Sequence, residues 1–221
     1  MNQQKSMSRR RFLIVAGSAL SASVLGCGGL VTVGLQQPAK VFNTMSCGEN
    51  KMNKILVAYA SKCGSTGEVA EAIGQILCRE GAAVDVRRVQ EVKDLTGYSA
   101  VILGSAIRMG KPLSDAVKFA EKHQASLGTM PTACFITCAT MKEDTLENRS
   151  EALAYLDPLR ELVAPVGEGL FGGKVDHSTL SPLLRFAVSR DPSGQMAEGD
   201  WRDWQAIGDW AAGLRPALLT A

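Results

Sequence analysis

Histidine is scarce in this chain: two occur in 221 residues, and no His/Cys pairs stand at metal-ligand spacings. A built metal site is therefore not expected. Excess charge is also lacking. Twenty-four Lys and Arg against 22 Asp and Glu leave a net charge of +2, too little to imply a nucleic-acid partner. The composition that remains, 46% hydrophobic and 21% charged, is that of an ordinary globular chain, long enough for one sizeable core plus a tail.

The first residues differ from the rest. "SMSRRRFLIVAGSALSASVLGCGGLVTVGL" sets Arg9, Arg10 and Arg11 before an uncharged run from Phe12 to Leu35, the pattern of an export signal. "SRRRFL", Ser8 to Leu13, resembles the twin-arginine signal, with Ile14 where that signal usually has lysine. The resemblance implies the twin-arginine export machinery as a partner, which carries proteins already folded and often loaded with a cofactor. "VLGC", Val24 to Cys27, resembles a bacterial lipobox with a bulky Leu25, and implies lipidation at Cys27. Two alternatives stand beside it: an uncleaved membrane helix over Phe12 to Leu35, and simple cleavage and release. The expected organisation is a signal with lipobox or membrane anchor over 1–35, a polar linker over 36–53, and one domain over 54–221. The expected location is the bacterial cell envelope, at the outer face of the cytoplasmic membrane or in the periplasm.

From Lys54 onward, short apolar runs alternate with helical patterns. "KILVAYA", "AAVDVRRV", "AVILGSA" and "TACFITCA" read as strands. "GEVAEAIGQILCREG" puts Val69, Ile73, Ile76 and Leu77 on one helical face. "PLSDAVKFAEKHQASLG" reads as a helix opened by Pro112, and "DTLENRSEALAYLDPLRELV" as one further helix. Buried strands alternating with helices imply a parallel sheet covered on both faces. In such sheets ligands bind at the carboxyl ends of the strands, near the point where strand order reverses. The loops after the strands at Leu56, Ile102 and Phe135 are thus the places to look for chemistry.

In the first loop, Ser61, Lys62, Cys63, Gly64, Ser65 and Thr66 lie where backbone N–H groups and a helix dipole favour an anion. Lys62 precedes the glycine, so this is not a Walker A loop; only Gly64 and Gly67 are present there, so it is not the dinucleotide fingerprint. On spacing alone, an ordinary helix N-cap is the competing reading.

At these residues the chain resembles the flavodoxin family, whose phosphate loop is matched by Ser61, Gly64 and Thr66, with Cys63 where a hydroxyl residue is usual. "VILGSAIRMGKPLSDAVKFAEKH", Val101 to His123, is similar to a stretch of the flavodoxin-like, menaquinone-dependent protoporphyrinogen oxidases. "LFGGKVDHSTLS" and "DWRDWQAIGDWAAGL" resemble their late strand and closing helix. The resemblance implies a flavodoxin-like α/β fold, with a doubly wound five-stranded parallel sheet in the order 2-1-3-4-5. It also implies FMN as cofactor, its phosphate held by Ser61 to Thr66. The ring would be flanked by Ser105, Ala106, Ile107, Arg108, Met109 and Gly110 on one side and by Thr137, Cys138, Ala139, Thr140 and Met141 on the other. A redox partner or quinone would be the acceptor. Three activities remain open: an oxidoreductase or electron shuttle, a protoporphyrinogen oxidase, and a binding module that has lost its cofactor. Met109 stands where the oxidases tend to have an aromatic residue, and the signal directs the chain away from the cytoplasm; both count against protoporphyrinogen.

Six cysteines are present. If folding precedes export, a disulfide framework is not expected, Cys78 and Cys134 read as core residues, and Cys134 and Cys138 stand too far apart along one strand to bridge. Cys63 reads either as a small residue filling the loop or as a reactive thiol. Trp201 and Trp204 are expected to share one face of the closing helix. Leu180, Leu183, Leu184, Phe186 and Val188 are expected either to pack on the sheet or to face a membrane.

Overall fold

The computed structural model describes residues 44–48, 54–176 and 198–219. The expected signal, the expected lipidation site Cys27 and the apolar segment from Leu180 to Val188 lie outside the described residues. Five parallel strands form the centre: β2 (Lys54–Ala60), β3 (Ala83–Arg88), β4 (Tyr98–Arg108), β6 (Thr132–Cys138) and β7 (Glu168–Gly172). Their spatial order is β3-β2-β4-β6-β7, the expected 2-1-3-4-5. Between and after them run the helices α1 (Ser65–Arg79), α2 (Ser114–Leu127), α3 (Leu146–Ala154), α4 (Asp157–Arg160) and α5 (Trp204–Leu219).

The alternation within each strand decides which helix covers which face. In β2, Ile55, Val57 and Tyr59 point to one side and meet Val69, Ile73 and Leu77 of α1 and Ile207, Ala211 and Leu214 of α5. Leu56, Ala58 and Ala60 point to the other and share a core with Ala116, Phe119 and Ala120 of α2 and with Ala152, Leu156 and Leu159. All six β2 residues from Ile55 to Ala60 are fully buried, which explains why the strand is apolar without a break. Each large side chain so buried contributes about 1.5–3 kcal/mol. Close fit is also visible across β4 and β6. Gly104 pairs with Phe135, and a side-chain carbon at that glycine would fall 2.1 Å from the Phe135 ring.

Five differences from the sequence expectations stand out, the first three with clear physical causes. First, the linker expected over 36–53 contains β1 (Met45–Cys47), which pairs antiparallel with β3 and lengthens the sheet edge. Ser46 and Lys54 both reach Asp85 there, at 2.5 and 2.8 Å, and Tyr98 donates to it at 2.7 Å. Second, Cys47 and Cys78 form a disulfide, contrary to the expectation of reduced thiols. Docking of β1 brings their Cα atoms to 6.2 Å, within bridging range. Cys63, Cys134 and Cys138 are free. Third, the helix expected over 144–163 is broken at Leu156 into α3 and α4, because Pro158 lacks an N–H and is accommodated in the first turn of α4. Pro112 does not open α2 but lies in a short strand, β5 (Lys111–Pro112), paired with the end of β4. The closing helix α5 begins at Trp204, so Trp201 precedes it and shares no helical face with Trp204.

Candidate functional site

The carboxyl ends of β2, β4 and β6 are adjacent and in register, Ala60 beside Ser105 and Ala106 beside Thr137. The three expected loops therefore meet on one edge of the sheet.

The first loop is built to leave amides free. Gly64 occupies the N-cap of α1 at φ 98°, a conformation that favours glycine, and no side chain caps the helix. Its carbonyl accepts from Gly67 at 2.8 Å and Glu68 at 3.1 Å, starting the helix, while its own N–H donates to Ser61 Oγ at 2.9 Å. Among the described residues the amides of Ser65 and Thr66 have no acceptor, and nothing lies within 4 Å of the position a Gly64 side chain would take. An open space above uncapped amides at a helix start is the geometry that receives a phosphate.

The remaining first-loop residues divide in role. Cys63 is exposed and Ser65 half-buried, and both line a small cleft with Glu68, Lys174 and Asp176. Lys62 leans to Asp115 of α2 at 3.2 Å. Thr66 is buried and its hydroxyl lies 2.7 Å from that of Thr137 at the end of β6, so this side chain ties loop to strand.

The second loop is a tight hairpin, with Ile107 opposite Pro112 and Arg108 opposite Lys111. Its two turn residues, Met109 and Gly110, both have positive φ, 53° and 73°, as a twist-matched two-residue turn requires. Met109 is 86% exposed. A non-glycine side chain held in this conformation stores about 1–2 kcal/mol and marks the turn as a functional candidate. Ser105 is committed to the hairpin: its hydroxyl accepts from the Leu113 N–H and donates to the Ala106 carbonyl, both at 2.9 Å. Ala106 and Ile107 are half-buried against the α2-side core. Arg108 is exposed, without an ion pair among the described residues.

In the third loop Ala139 is exposed and Thr140 half-buried, whereas Cys138 and Met141 point into the core. Burial pushes the Cys138 thiol pKa up, and that of Cys134 up to about 12; neither is a reactive thiol at neutral pH. The groups left facing the loop edge are thus Cys63, Ser65, Arg108, Met109, Gly110, Ala139 and Thr140 with their backbones.

Three contributors were not visible from the sequence. Tyr155, expected inside a continuous helix, reaches Thr140 and Gly110. Lys174, in the short strand β8 (Lys174–Val175), which pairs with β9 (Gly199–Asp200), stands by the first loop. Arg202 binds Glu68 of α1 at 2.6 Å and Asp200 at 2.5 and 2.7 Å, with its guanidinium 4.5 Å from the Trp204 ring centre. Its side chain is 4% exposed. The pattern "DWRDW" carries no periodic signal that would select this arginine.

A doubly wound α/β sheet with an uncapped, glycine-led helix start at the switch point defines a phosphate-anchored cofactor protein. The Flavodoxin domain family model matches residues 56–195, and the chain belongs to that family. FMN is the cofactor of this family, and the open amides of the first loop fit its phosphate. Over 84 residues the chain is 30% identical to protoporphyrinogen IX dehydrogenase [quinone] of Escherichia coli (strain K12), covering 37% of this chain and 46% of that protein. Over 93 residues it is 30% identical to an NAD(P)H dehydrogenase (quinone) of Cupriavidus metallidurans, covering 32% of this chain and 47% of that one. The matches thus span about half the length of these curated relatives. A short-chain flavodoxin associated with a non-canonical PDU bacterial microcompartment has a TM-score of 0.50 and 13% identity, over 76% of this chain and 99% of its own; this likeness concerns the fold.

Proposed function

We propose that the chain is an exported, membrane-tethered FMN-dependent oxidoreductase or electron-transfer protein. It passes electrons between a reduced substrate or protein and an acceptor such as quinone. The observation that carries this reading is the uncapped start of α1, where Gly64 has open space beside it and the amides of Ser65 and Thr66 have no acceptor among the described residues. Bound FMN supplies the one- or two-electron chemistry. The chain's own part is to anchor the phosphate on the first loop and to hold the ring edge between the backbones of Ser105–Gly110 and Thr137–Met141. Arg108, exposed beside the second loop, offers a charge to balance a reduced ring or to draw an anionic partner.

Both curated relatives carry quinone in their names, which supports a quinone acceptor. The Cys47–Cys78 disulfide supports an oxidising compartment, in keeping with an envelope location and a lipid anchor at Cys27; on the twin-arginine route the bridge closes after the folded chain has been exported. The likeness to a protoporphyrinogen dehydrogenase favours a second reading, oxidation of that tetrapyrrole; an outward location counts against it. The test is anaerobic: the FMN-loaded chain is reduced with dithionite and mixed with a soluble menaquinone analogue. Rapid return of the oxidised flavin spectrum is expected. No reoxidation by quinone would remove the quinone-linked role. Protoporphyrinogen turnover by the same preparation would select the second reading. A folded chain that takes up no FMN would select the cofactor-free binding module.

A further inference from the structure

Tyr155 stands at the C-terminal cap of α3, half-buried against the core on the α2 side. Its hydroxyl donates to the Glu151 carboxylate one turn earlier and lies 3.1 Å from Thr140 Oγ1 in the third loop. Its ring flanks the second loop: a side-chain carbon at Gly110 would meet Cε1 at 3.5 Å and Cδ1 at 3.9 Å. One side chain, from an element outside all three loops, thus bonds to the third loop and stands beside the second.

With Glu151 as the acceptor of the phenol proton, the direction of the Thr140 bond follows. Burial, followed by the Glu151 bond, pushes the phenol pKa upward, so the hydroxyl keeps its single proton at neutral pH. That proton is given to Glu151, which leaves Thr140 as the donor to the tyrosine oxygen. Thr140 is thereby fixed in rotation, and toward a ligand its hydroxyl retains acceptor capacity only. The Gly110 contact acts on the other side of the gap, at the tip of the hairpin whose Met109 and Gly110 already hold positive φ. A loop in such a conformation persists only when its surroundings impose it, and the Tyr155 ring is part of those surroundings.

We propose that Tyr155 is a positioning residue that sets the gap between the second and third loops, and with it the fit of the flavin ring between them. This rests on the FMN reading of the site. The geometry requires both halves of the side chain, the ring for Gly110 and the hydroxyl for Thr140.

The experiment compares the full chain, purified in detergent, with its Tyr155→Phe and Tyr155→Leu variants. Dissociation constants are measured by fluorescence titration for oxidised FMN and by absorbance titration for dithionite-reduced FMN. Tyr155→Phe keeps the ring and loses both hydroxyl hydrogen bonds, to Glu151 and with Thr140; only the Thr140 bond reaches a loop of the site, so FMN binding is expected to weaken about two- to tenfold. The ratio of the oxidised to the reduced constant should also shift at least twofold, because Thr140 regains a free proton; a merely structural tyrosine would not change this ratio. Tyr155→Leu is expected to weaken binding more than the Phe variant does. In the FMN-free chain, the Phe change should speed amide hydrogen exchange in 139–142, and the Leu change should speed it in 106–112 as well. Folded variants that bind both redox forms within twofold of wild type, with unchanged exchange in both loops, would overturn the proposal. If wild type takes up no FMN, the FMN reading itself falls, while the exchange data still decide whether Tyr155 holds the loops.

Discussion

The hydroxyls of Thr66 and Thr137 lie 2.7 Å apart in a buried bond that ties the first turn of α1 to the end of β6. The phosphate-side helix is thus fastened to the strand that leads into the third loop. Thr66→Val alone strands the Thr137 hydroxyl and should cost about 1–3 kcal/mol, the penalty of an unpaired buried group. The double replacement by valine should cost less than the sum of the two single ones. Urea denaturation of the four proteins checks this, with additive losses counting against a direct bond.

The bridge between Cys47 and Cys78 closes a loop with a sequence separation of 31. On the chain-entropy account, removing it costs about 3–4 kcal/mol. Cys47→Ser/Cys78→Ser should therefore unfold at clearly lower urea than wild type, and reducing agent should bring wild type down to the same midpoint. Peptide mapping under non-reducing conditions should recover the Cys47 and Cys78 peptides as one species. Two free thiols at these positions in protein purified without reducing agent would contradict the pairing.

Asp85 gathers Ser46, Lys54 and Tyr98 at the edge where β1 joins the sheet. Burial of this carboxylate works against its charge, but the bonds from Lys54, Ser46 and Tyr98 outweigh it and hold the pKa below the ordinary value. A depressed folded-state pKa gives stability that is fully present above the unfolded value of about 4 and is lost as pH falls through the folded one. Asp85→Asn should be less stable than wild type at pH 7 by about 1–3 kcal/mol, and the difference should shrink below about pH 4. Urea midpoints measured from pH 7 down to pH 3 test this; a constant difference would contradict it.

Arg202 holds Glu68 and Asp200 together at the start of α1. Removing a buried member of an ion pair costs about 3–5 kcal/mol. Here both carboxylates are roughly half exposed, so Arg202→Ala should lose about 1–3 kcal/mol after solvent screening. The two uncompensated carboxylates beside the first loop should also weaken FMN binding at low salt more than at high salt. Titrations at two ionic strengths measure that difference, and salt-independent binding in the variant would count against it.

The central fold was legible because it depends on patterns that local sequence carries. Unbroken apolar strands such as Ile55–Ala60 alternate with helical faces such as Val69, Ile73 and Leu77, and the observed sheet order follows. The three loops were legible for the same reason, since they are the strand ends. The side-chain roles within them were less so. Ser105, Thr66 and Met141 look like ligand groups in a linear reading, yet Ser105 bonds its own hairpin, Thr66 bonds Thr137, and Met141 fills the core. The edge strand β1 is three residues long and has no periodicity to reveal it. The disulfide depends on that strand docking, and the bonds of Tyr155 to Thr140 and of Arg202 to Glu68 join residues that no spacing rule connects.

The most direct test of the account is a titration of the folded, full-length chain with FMN, followed by visible absorption and flavin fluorescence, beside the Gly64→Ala variant. A saturable complex of one FMN per wild-type chain is predicted, with clearly weaker binding in the variant, whose added methyl group enters the open space at φ 98°. Correctly folded wild type with no saturable uptake, or a variant that binds FMN as tightly as wild type does, would contradict it.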